Sequence, residues 1–133
     1  MKLEFIYEVN EYGDQLIRLY DFDMTEAAKF RDAIKKTILE ENQSLDLTTL
    51  DFIQPVNCKL IFHIEEGAEE DAGIMTQDNL IFFCDLSIEG YKKMVQLIEP
   101  FCNKNLRNFQ MLYDLDTQID LLFSPYGEWA KED

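Results

Sequence analysis

The sequence predicts an α+β domain in which an antiparallel sheet carries two helices on one face. Three observations predict it. Near the start, Leu3, Phe5, Tyr7 and Val9 alternate with Glu4, Ile6 and Glu8, the period of a strand with one face inward. Two later segments, beginning at Met24 and Ile88, repeat apolar residues at steps of three and four, the stripe of a helix that buries one side. The two strand-to-helix passages also echo each other, so the fold reads as an internal duplication of a strand-strand-helix-strand unit.

The elements follow in order. Asn10, Gly13 and Asp14 are turn formers, so residues 3–22 read as a hairpin whose second strand is QLIRLYDF. Asp23 is placed to cap a helix, with Glu26 at the capping-box position. Ala27, Phe30, Ile34 and Ile38 form its buried stripe, and the helix should end near Asn42. LTTLDFI reads as a short strand stopped by Pro55, and CKLIFHIEE as a clearer one. After the polar turn EEGAEEDAG, NLIFFCDL is apolar on both faces and suits a central strand. Ser87 caps a second helix with Ile88, Tyr91, Val95 and Ile98 inward, which Pro100 ends or kinks. Two further apolar runs occupy residues 108–124, and PYGEWAKED is an aromatic tail.

In the echo, Leu16 falls on Leu80, Ile17 on Ile81, Leu19 on Phe83 and the cap Asp23 on the cap Ser87. Beyond the helices Leu60 falls on Ile119 and Phe62 on Leu121. The chain is therefore expected to be one domain, 1–133, with pseudo-repeats at about 1–56 and 57–124 and a tail at 125–133. Helices on one face of an antiparallel sheet is the simplest layering. The opposite face carries Ile6, Ile61, Leu112 and Leu122. It calls for a cover, because a large bare apolar patch does not persist on a monomer. Three covers offer themselves: the tail around Tyr126 and Trp129, curling of the sheet, or a second copy of the chain in a homodimer.

Charge narrows the function classes. Twenty-seven acidic residues against 12 basic ones leave a net charge of −15. Such a surface repels nucleic-acid phosphates and anionic membranes and attracts basic proteins. Cys58, Cys84 and Cys102 form no CxxC pair and sit in apolar contexts, so they read as small reduced core residues. With no signal-peptide pattern in MKLEFIYEVN and no apolar run of transmembrane length, the expected setting is cytoplasmic.

No catalytic constellation emerges. The five glycines form no phosphate loop, and there is no GxSxG nucleophile motif. His63 is the only histidine and lies in an apolar strand, where packing is the expectation. Asp114, Asp116 and Asp120 fail as a calcium loop, because Ile119 stands where the turn needs glycine and Pro125 where it needs glutamate. No catalytic residue, metal or cofactor is assigned. The dense acids Glu65, Glu66, Glu69, Glu70 and Asp71 are the candidate partner-binding residues. The expected function is a non-catalytic acidic interaction module, of inhibitor, immunity or regulatory type, docking a basic partner. The alternative is a small-ligand-binding or hydrolytic domain with its site between the repeats.

Overall fold

The computed structural model describes residues 1–7, 15–65, 73–78, 80–113 and 119–126. Strands β1 (Lys2–Ile6) and β2 (Gln15–Tyr20) form the expected hairpin, with Leu3 opposite Leu19 and Phe5 opposite Ile17. Helix α1 (Met24–Ala33) follows, and its cap is as the sequence implies: the Asp23 carboxylate accepts from the Glu26 N–H at 3.0 Å. The helix then widens into a π-helix over Ile34–Glu40, with the Glu41 N–H donating to the Lys36 carbonyl at 3.0 Å. Ile34 and Ile38 stay fully buried through the change. Asn42, in the left-handed region at φ 55°, ends it.

LTTLDFI departs from expectation. None of its residues joins a strand: Leu45–Asp46, just before it, is extended as β3, and Leu47–Thr49 turn as a 3-10 helix. The Asp46 carboxylate accepts from both the N–H and the hydroxyl of Thr48. A short polar side chain that can bond its own following backbone favours a turn over a ladder. The remaining strands are β4 (Gln54–Pro55), β5 (Lys59–Ile64), β6 (Gly73–Asp78), β7 (Ile81–Leu86), β8 (Gln110–Tyr113) and β9 (Ile119–Ser124). Helix α2 (Ile88–Asn103) starts with the Ser87 hydroxyl accepting from the Gly90 N–H and continues through Pro100 rather than ending there.

The fold is α+β, but the expected single antiparallel sheet is corrected to two mixed sheets, ordered β4-β1-β2-β9-β8 and β3-β5-β7-β6. Each has a parallel pair at its centre, β2 with β9 and β5 with β7, flanked by antiparallel neighbours. The halves exchange strands. β5, which follows α1, lies beside β7, and β9, which follows α2, lies beside β2, whereas β4 also follows α1 and stays beside β1. Apolar period shows that β7 and β9 are interior strands. It carries no information on which neighbour each takes or in which direction.

Both sheets set a parallel pair between antiparallel neighbours, but the first has five strands and the second four, so the likeness is one of pairing around that pair. The residue overlay differs from the expected one. In the parallel pairs Leu19 faces Phe123 and Cys84 faces Phe62. Matching these rows sets Leu19 against Cys84 rather than Phe83, and Phe62 against Phe123 rather than Leu121. The slip has a local cause. Leu19 reaches its helix cap through Tyr20, Asp21 and Phe22, whereas Cys84 reaches Ser87 through Asp85 and Leu86. The extra residue is taken up at Asp21, which is left-handed at φ 57°. A one-residue slip turns a strand's core face outward, and Leu80, the expected partner of Leu16, is an exposed turn residue at φ 64°.

Both helices pack on each other and drive their stripes into one core shared by both sheets. Aromatic rings form its centre. Phe123 lies 4.2 Å from Phe22, 5.2 Å from Phe101 and 5.8 Å from Phe30, and Phe62 lies 5.5 Å from Tyr91, all between ring centroids. The second face of the first sheet is also covered, since Leu16 and Leu122 are fully buried within the single chain. Leu112 belongs to the main core, while Ile6 and Ile61 are half-buried. Tyr126 is exposed, with the Arg107 guanidinium 5.3 Å from its ring centroid, and Trp129 lies outside the described residues. Among the described residues no helix is long and apolar enough to cross a membrane.

The three cysteines are free thiols, with Cys58 and Cys84 buried and Cys102 half-buried. Burial, helped by the negative charge of Glu4, pushes the Cys58 thiol up to about 12. Burial also raises Cys102, against the pull of Arg31. Since the thiolate is the nucleophile, native protein at neutral pH should react slowly with a thiol reagent and rapidly once unfolded in denaturant. Cys102 should be the first of the three to label, which mass spectrometry of the partly labelled protein reads directly.

Candidate functional site

The parallel pair β5/β7 delivers the densest chemistry among the described residues. Leu60, Phe62 and Ile64 point into the core with Phe82, Cys84 and Leu86, so alternation turns His63 and Asp85 to the other face. The register sets His63 beside Asp85, and beyond it Gly73 of β6. Both side chains stand near the carboxyl ends of parallel strands, the position at which such sheets commonly hold ligands. Gly73 has φ 88°, a conformation open to glycine at little cost, and without a Cβ it leaves the Asp85 carboxylate uncrowded on that side. Glu65 follows two residues after His63, on the same side, with its backbone N–H donating to the Leu86 carbonyl at 2.9 Å.

The pair is clamped from below. The Tyr91 hydroxyl, on the buried face of α2, lies 2.7 Å from the carbonyls of both His63 and Cys84 and shares its one proton between them. Burial holds this phenol well above the usual range, so it stays a neutral donor. The backbone beneath the site is thus tied to the helix that packs behind it.

His63 Nδ1 lies 3.0 Å from Asp85 Oδ1, with the His63 side chain 51% exposed and that of Asp85 14%. The distance suits an ion pair, and no hydrogen bond joins the two groups. Asp85 Oδ1 is buried and has no hydrogen-bond partner among the described residues. His63, Glu65 and Asp85 each offer one donor atom, and these atoms lie within 4.8 Å of one another. Beside them a cleft of ≈ 410 Å³ is lined by Asn42, Ser44, His63, Ile64 and Glu65. The π-helical turn and the left-handed Asn42 bring the chain to this rim, where Ser44 precedes β3 and comes level with His63. π-Helical segments often accompany functional sites.

His63 is therefore not the packed core histidine that its apolar strand suggests. Asp85 was the residue most easily overlooked, although a carboxylate near the end of the apolar run LIFFCDL is a readable signal. Of the acidic candidates, Glu65 is half-buried and part of the cluster, while Glu66, Glu69, Glu70 and Asp71 lie outside the described residues. Asp114 and Asp116 lie outside them as well, and Asp120 is a half-buried residue of β9. The chain matches no known protein family and no curated protein.

Proposed function

We propose that the chain is a non-catalytic acidic interaction module, of inhibitor, immunity or regulatory type, which docks a basic protein in the cytoplasm. The supporting observation is the uncompensated charge of −15. Among the described residues five basic side chains stand in ion pairs: Arg18 with Glu4, Arg31 with Asp32 and Glu99, Lys59 with Asp46, Lys2 with Asp21 and Lys92 with Glu89. With 27 acidic residues against 12 basic ones, the surplus is one of acids. Its long-range field speeds encounter with a basic surface and disfavours acidic ones.

The docking residues are Glu65, Glu66, Glu69, Glu70 and Asp71. Immobilised chain should capture a basic protein from its host's lysate. With that protein purified, the association rate should fall steeply from low to physiological salt, where charges are screened beyond about 8 Å. Changing Glu66, Glu69 and Glu70 to Gln and Asp71 to Asn should lower the low-salt rate and leave dissociation nearly unchanged. A salt-insensitive rate, or one indifferent to these changes, removes the turn as the docking surface.

A further inference from the structure

We propose that His63, Glu65 and Asp85 form a binding site for one divalent first-row transition cation of the zinc class. The proposal shares Glu65 with the docking reading but rests on other observations, and either can fail without the other. It rests on two separate observations. The first is the donor set: one imidazole and two carboxylates from adjacent parallel strands, with their ligand atoms within 4.8 Å of one another. The second is the buried Asp85 Oδ1, which has no hydrogen-bond partner among the described residues although it lies 3.0 Å from His63 Nδ1.

A buried carboxylate oxygen without a hydrogen bond is costly. A simple surface ion pair between His63 and Asp85 would relieve that cost by aligning the imidazole N–H with the oxygen. The ring is half-exposed, yet no hydrogen bond joins it to the oxygen. A cation between the two groups would satisfy the oxygen and draw in Glu65 as well. Three protein ligands with an open fourth position is the arrangement of zinc sites that keep a water or a substrate group. Donors on a tetrahedral zinc lie about 3.4 Å apart, from bond lengths of about 2.0–2.2 Å. The separations in the cluster bracket that spacing, from 3.0 Å between His63 Nδ1 and Asp85 Oδ1 to no more than 4.8 Å, and the exposed His63 ring and the position of Glu65 past the end of β5 leave room to adjust.

The donor chemistry sets the class of ion. Imidazole favours zinc, copper, nickel and iron, whereas calcium and magnesium take oxygen ligands and usually six or more of them. The fourth position opens on the cleft beside Asn42 and Ser44, so a small anion or carbonyl oxygen would reach the ion from that side. The Tyr91 clamp ties down the backbone at His63 and Cys84, leaving the side chains of the cluster to close.

Titration calorimetry of the full chain with Zn²⁺ tests it. The expected result is one saturable site. His63→Ala and Asp85→Asn should weaken it at least about tenfold, and Glu65→Gln should also weaken it, whereas Glu41→Gln and Cys102→Ala leave it unchanged. The His63 ring resonances should shift on adding Zn²⁺, and an equal concentration of Ca²⁺ should not displace it. His63 is exposed, so His63→Ala keeps the fold, which its metal-free circular dichroism spectrum and melting temperature check. Absence of saturable Zn²⁺ binding overturns the proposal. So does binding of several ions that His63→Ala leaves unaltered, or equal displacement by Ca²⁺; either would reduce the effect to general attraction by an acidic surface.

Discussion

Phe123→Ala should destabilise the protein by about 3–5 kcal/mol, the usual cost of emptying a buried phenylalanine site. Phe123 is fully buried in β9, and its ring meets Phe22, Phe30 and Phe101. Those rings come from the segment entering α1, from α1 and from α2, so one side chain joins both helices to the first sheet. Collapse of the void is hindered because each neighbour is held by its own backbone element, and a site that cannot relax lies toward the upper end of that range. Urea denaturation checks it, given the two-state unfolding usual for a chain of this size. The midpoint should fall with little change in slope, because the surface exposed on unfolding is nearly the same. Phe109→Ala is the control. Phe109 is 45% exposed, and truncating it should change stability by no more than about 0.5 kcal/mol.

The same residue shows how far the sequence is legible. Phe123 and its apolar run announce a buried strand, and the three-and-four spacing of Phe30, Ile34 and Ile38 announces the helix face that meets it. Both are local signals, carried by the period of the chain. The partner of Phe123 is Leu19 of the first hairpin, a contact across almost the whole chain, and no local period encodes it. For this reason the elements were readable while the strand exchange and the two-sheet layout were not. The overlay of the halves slipped for a related reason. Pattern matching keeps a constant offset, whereas the path from Leu19 to its helix cap is one residue longer than that from Cys84, with Asp21 left-handed within it.

The site follows the same division. Glu65 stands out in the sequence through the density of acids after it, and His63 as the only histidine. Asp85 is distant from them in sequence and becomes their neighbour only through the parallel pairing of β5 with β7. A reading of His63 in isolation assigns it to packing. The register sets a carboxylate beside it and a glycine beyond, and turns the row outward. The π-helical stretch was equally hidden, since Ile34 and Ile38 keep a helical spacing whether the turn is ordinary or widened.

Glu4→Gln should cost about 2–3 kcal/mol, and the double change Glu4→Leu with Arg18→Met should cost less than that single one. Glu4 and Arg18 face each other across β1 and β2. The guanidinium donates from Nε to Glu4 Oε1 at 2.9 Å, its Nη2 lies 2.7 Å from the same oxygen, and its Cζ stands 3.8 Å from the centroid of the Tyr20 ring. Only 7% of the Arg18 side chain is exposed, against 24% for Glu4. Breaking a buried pair from one side costs about 3–5 kcal/mol, because the remaining charge stays out of water. The partial exposure of Glu4 lowers that figure, since solvent already screens part of the interaction. Removing both charges also removes the desolvation penalty, and Leu with Met can pack on the face that already holds Leu16 and Leu122. A double-mutant cycle built on urea midpoints isolates the coupling. If the double variant loses the full sum of its two singles, the pair is uncoupled, and the Tyr20 stacking and side-chain packing of Arg18 account for its burial instead.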